Sequence, residues 1–110
     1  MFMPTSEIVN DVAKGDAPAF ADEWSPKEQW ERPVFYGGET NLRDYKLEDN
    51  PEGYRGMIRR GESPPLQITH GLSGRHLGDG HHRLANMEAL GHTEVPVVES
   101  FSSRLNRRLH

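Results

Sequence analysis

The chain has 110 residues, 34% of them apolar, with 11 Gly, 8 Pro, no Cys and a net charge of −4. That is one domain with a modest core and long connections, and it excludes a disulfide framework, a thiolate metal site and a thiol nucleophile. No apolar run approaches the roughly 20 residues that span a bilayer and no basic-then-apolar leader opens the chain, so the expectation is a cytoplasmic protein with no membrane partner.

In chain order, residues 5 to 14 predict a short helix resting on a narrow face of Ile8, Val9 and Val12 and ending at Gly15. The next start is sharper. Ser25 caps, Pro26 takes the first helical position, Glu28 completes a capping box, and Pro33 ends the helix. Trp24 and Trp30 read as anchors that hold this leading segment onto a core, so residues 1 to 31 are expected to be an acidic arm with one or two short helices. Residues 33 to 36 predict a strand broken by Gly37-Gly38, and the polar run from 39 to 49 an excursion across the surface.

Asn50-Pro51 opens another helix with Tyr54, Met57 and Ile58 inward, Arg55, Arg59 and Arg60 outward, and Gly61 at its end. Leu66-Gln67-Ile68-Thr69 alternates as a half-buried strand, residues 70 to 74 form a loop, and residues 75 to 78 return. Asp79-Gly80 then makes a tight turn into a helix under His81-His82-Arg83, with Asp79 as its N-cap, Leu84, Met87 and Leu90 on its buried face and Gly91 as its stop. Val95-Pro96-Val97-Val98 predicts a buried strand with its proline at an edge or start, and residues 102 to 110 a basic terminal helix or tail.

Charge is segregated along the chain. Residues 1 to 53 carry −7, residues 54 to 83 carry +3, and the remainder is balanced. A basic centre suits an anionic ligand, and the first-turn amides after Gly80, the positive end of the helix dipole and Arg83 together suggest a seat for phosphate. The alternative is that Asp-Gly here serves only a sharp strand-to-helix connection and Arg83 is a solvated surface charge.

Three ordered blocks extend this reading: Gly61-Glu62-Ser63-Pro64-Pro65-Leu66-Gln67-Ile68, Leu77-Gly78-Asp79-Gly80-His81-His82-Arg83-Leu84-Ala85, and Leu90-Gly91-His92-Thr93-Glu94-Val95-Pro96-Val97. Over residues 33 to 99 the chain resembles the ParB N-terminal and sulfiredoxin superfamily, in particular its stand-alone members with an Asp-Gly-His-His-Arg motif. The resemblance implies an α+β fold, a small mixed sheet with helices packed on it, spanning residues 32 to 101. It also implies that a nucleotide's phosphates are gripped by Gly80, His81, His82 and Arg83, with Asp79 shaping the turn. The position of His81 matches the catalytic cysteine of sulfiredoxins, so with no cysteine present sulfinic acid reduction is excluded. ParB proteins continue into helix-turn-helix elements that have no counterpart before His110, which weighs against a sequence-specific DNA clamp.

Members of this superfamily differ in reaction, so the fold does not choose one. If this chain is a catalyst, His81 is the candidate base or phosphate carrier, and Glu39 lies roughly where the serine-kinase-like relatives place a catalytic glutamate; the expected cofactor is a nucleoside triphosphate with Mg2+. The histidines His70, His76, His81 and His82 match no established zinc spacing, and no metal site is assigned. Three readings stay open: nucleotide binding with weak hydrolysis or phosphoryl transfer; a DNA-binding or nuclease module using Arg55, Arg59, Arg60, Arg75, Arg104, Arg107 and Arg108; and a non-catalytic protein-interaction module docking through the N-terminal arm.

Overall fold

The computed structural model describes residues 1–16, 21–35, 38–47, 51–72 and 74–101. The chain forms strand β1 (Phe2–Pro4), helices α1 (Thr5–Asp16) and α2 (Pro26–Glu31), strands β2 (Val34–Phe35) and β3 (Glu39–Thr40), and helices α3 (Leu42–Leu47) and α4 (Pro51–Arg59). It continues with strands β4 (Leu66–Gly71) and β5 (Gly74–Asp79), helix α5 (His81–Ala89) and strand β6 (Glu94–Phe101). The expected basic helix at residues 102 to 110 lies outside the described residues. Among those described, no helix is long and apolar enough to cross a membrane.

The result is an α+β fold: a four-stranded mixed sheet in the order β1-β6-β4-β5, with helices packed against it and β2 and β3 pairing separately. Strand β6 runs parallel to β4 and antiparallel to β1, while β4 and β5 form an antiparallel hairpin. Side chains on successive strand residues point to opposite faces, so one face collects Leu66 and Ile68 of β4, Leu77 of β5, Val95 and Val97 of β6 and Met3 of β1, all buried. Helix α1 packs on β5 and α5, α3 and α4 pack on α5, and α2 bridges α1 and α3.

Several elements depart from the sequence reading. The leading segment is not an appended arm: β1 pairs along β6, and Ile8, Val9, Val12, Ala13 and Trp30 belong to the same core cluster as the sheet. Residues 42 to 47, expected to be a surface excursion, form α3. Asn41 starts it by accepting the Asp44 N–H at 2.6 Å, and Leu42 inserts into the core at 1% exposure. The loop expected at 70 to 74 is tighter, since pairing continues to Gly71↔Gly74.

Strand β6 is interior although it contains Pro96, which faces Phe2 in the register. The Val97 N–H bonds to Met1 O, so the Pro96 nitrogen turns toward β4, whose pairing begins only at Leu66↔Val97. The missing donor therefore falls just ahead of that ladder. Other signals match the fold. Ser25 caps α2 with the reciprocal Glu28 contact and Pro26 leads the helix. Gly91, at φ +86°, ends α5 with His92 N–H returning to Met87 O and Gly91 N–H to Glu88 O.

Candidate functional site

The hairpin delivers the chain to α5 through an irregular ladder. Gln67 pairs with Asp79 and Ile68 with Leu77, so Gly78 is passed over as a bulge and the strand bends at its end. The bend into α5 is then made by Gly80 alone, at φ +108°. A Cβ there would lie 2.6 Å from Leu66 Cδ2 and 3.3 Å from Arg83 Nη2, so both backbone and space demand glycine.

Gly80, not Asp79, is the N-cap, and no side chain caps the first turn. The first bond of the helix is Leu84 N–H to Gly80 O at 2.8 Å, so the amides ahead of it lie outside the helix's own ladder. Asp79 falls short of the capping position because it completes β5. Its carboxylate instead accepts from Arg83 Nη2 at 3.2 Å.

Arg83 is turned inward. Its guanidinium donates through Nη1 to the Pro64 carbonyl at 2.9 Å and the Pro65 carbonyl at 3.4 Å, and the residue is only 9% exposed. It thus ties the start of α5 to the segment entering β4, and only part of it reaches the cavity described below. The surface-charge alternative does not apply.

A cavity of about 240 Å³ opens over this helix start. Asp79, Gly80, His81, His82 and Arg83 line it, joined by Lys46 from α3 and Tyr54 from α4. The His82 ring approaches the Lys46 carbonyl through Nδ1 at 2.6 Å. A carbonyl only accepts, so Nδ1 carries the hydrogen in this contact. Tyr54 stacks on the same imidazole, with centroids 5.9 Å apart and planes 8° from parallel. Behind it, the fully buried Asn86 donates to the His82 carbonyl at 2.8 Å and accepts from Arg55 Nε at 3.2 Å, fixing the position of α4 against α5.

Lys46 and Tyr54 are the lining residues that the sequence did not single out for the site. Tyr54 was legible only as a helix-face residue, and Lys46 sat in the polar run that proves to be α3. Glu39 is exposed on β3 and is not among the residues lining the cavity.

The basic residues of the central segment are mostly engaged. Arg75 donates to Asp11 at 2.7 Å and to Glu7 at 3.4 Å, and the Asp11 hydrogen bond holds its pKa above the ordinary value. Arg60 pairs with Glu62 at 2.9 Å. Arg104, Arg107 and Arg108 lie outside the described residues. The histidines are dispersed, with His70 bonded to Glu99 at 3.1 Å and stacked on Phe101. Among the described residues no group of three or more His, Asp or Glu side chains could hold a metal ion. Comparison with known proteins finds no family model, no curated protein and no solved structure that matches this chain.

Proposed function

We propose that this domain binds the phosphate groups of a nucleotide in the cavity at the start of α5. The observation that carries the reading is the convergence on one cavity of the uncapped first turn of α5, the Lys46 residue of α3 and the stacked Tyr54–His82 pair. Helix-start amides and the positive end of the dipole favour an anion, and a lysine adds a point charge. The resemblance of the Asp-Gly-His-His-Arg block to the ParB and sulfiredoxin superfamily points the same way.

At about 240 Å³ the cavity is smaller than the roughly 300–1,000 Å³ that encloses a drug-sized ligand. It suits phosphates, with sugar and base lying outside against the Tyr54 side. Asp79 is the carboxylate in the lining and would contact a magnesium ion arriving with the nucleotide. His81 lines the same wall, so of the two candidate catalytic residues it is the one able to exchange a proton with a bound phosphate.

The test is a thermal-shift panel of nucleoside triphosphates with and without Mg2+. ATP or CTP with Mg2+ is expected to raise Tm, by the equivalent of about 2.7 kcal/mol at a hundredfold excess over Kd. His81→Ala and Lys46→Ala should each reduce that shift. No shift with any nucleotide at millimolar concentration overturns the proposal.

A further inference from the structure

His82 sits half-buried in the first turn of α5 and meets both α3 and α4. Its Nδ1–H donates to the Lys46 carbonyl at 2.6 Å, and Tyr54 holds the ring plane by stacking 8° from parallel. The backbone behind the ring is fixed as well, because the buried Asn86 donates to the His82 carbonyl and accepts from Arg55 of α4.

Helix α3 needs an outside hold on its end. Six residues are too few for a helix to persist by its own hydrogen bonds, and its buried side chain, Leu42, lies at the opposite end. The helix stops at Leu47, so the Lys46 carbonyl is among the terminal acceptors that receive no N–H from within α3. The His82 ring supplies that hydrogen from another helix, 36 residues along the chain.

We propose that His82 is a positioning residue of the phosphate cavity: its Nδ1–H clamps the last turn of α3 and so sets Lys46 in the cavity wall, where its charge can meet a bound phosphate. The inference rests on the phosphate reading above. It gives His82 a part played through Lys46, in place of the direct grip on phosphate that the superfamily resemblance implies. The Lys46 ammonium rests over the exposed Tyr45 ring, 5.5 Å from its centroid, a weak contact that a phosphate can displace.

Two amide substitutions separate these roles. The side-chain nitrogen of Asn is bonded to Cγ, as Nδ1 is, whereas that of Gln reaches the place of Nε2. His82→Asn therefore keeps the donor for Lys46, and His82→Gln loses it. In isothermal titration with ATP and with CTP, each with Mg2+, His82→Asn is expected within about twofold of the unaltered chain and His82→Gln about tenfold weaker. In a Lys46→Ala background His82→Gln should add less than about twofold, because one residue acts through the other. Without nucleotide, the Lys46 amide hydrogen should exchange about tenfold faster in His82→Gln than in His82→Asn.

Circular dichroism checks that each variant is folded, and His82→Asn decides between the roles even if His82→Gln does not fold. A tenfold loss of affinity in folded His82→Asn, full affinity in His82→Gln, a full further loss on top of Lys46→Ala, or equal exchange in the two variants overturns the positioning role alone. No binding of either nucleotide by the unaltered chain overturns the phosphate reading, and this inference with it.

Discussion

The chemistry of the α5 start turns on Arg83. As a string, Gly-His-His-Arg ahead of an apolar helix face reads as an anion grip, and nothing local says that the guanidinium will fold back. It does so because the Pro64 and Pro65 carbonyls have no strand partner at the entry to β4 and lie within reach. Arg83→Ala is therefore expected to cost about 2 kcal/mol, or roughly 10 °C in Tm, by removing charge-assisted hydrogen bonds to two part-buried carbonyls. Asp79→Asn, at a side chain 76% exposed, should cost less than about 1 kcal/mol. Equal losses in thermal unfolding of the two variants would mean that the ion pair, not the carbonyl contacts, holds the bend. A loss of nucleotide response in Arg83→Ala would for the same reason be ambiguous, which makes His81 and Lys46 the better probes of the cavity.

Among the elements, those with a complete local code were legible. Helix α2 has its cap, its leading proline and its box within four residues, and the Ser25 backbone N–H bonded to the Glu28 carboxylate holds that carboxyl below its ordinary pKa. A lowered carboxyl pKa contributes fully above its unfolded value and fades as pH falls through the lowered one, so the box is complete at neutral pH. Ser25→Ala should cost about 1 kcal/mol in urea unfolding, and a change within error would show that α2 is held by its buried Gln29 and Trp30 rather than by its cap. Helix α3 escaped the sequence reading because it is six residues long with Leu42 as its only buried side chain, too few for a periodic signal. Its Asn41 cap is nonetheless as explicit as that of α2. Missing α3 meant missing Lys46, and with it one wall of the cavity.

For the molecule as a whole, the leading residues are structural. Ile8, Val9 and Val12 are buried in the shared core, and burial of such side chains is worth about 1.5–3 kcal/mol each. Their sum approaches the roughly 5–15 kcal/mol total stability of a domain. A chain beginning at residue 17 also loses β1 from the edge of the sheet, and it should lack a cooperative thermal transition. A sharp transition within a few degrees of the full chain would restore the picture of a detachable arm.

By itself the sequence determined the hairpin, the central helix with its Gly91 stop and the N-terminal cap of α2, because each follows from turn chemistry or from periodicity over neighbouring residues, while the α+β class came with the resemblance. Only the tertiary structure decided that β6 lies inside the sheet, that Arg83 faces inward, and that Lys46 and Tyr54 join the α5 start. These depend on which carbonyls and faces remain unpaired once distant segments meet, and proximity of that kind leaves no periodic trace along the chain.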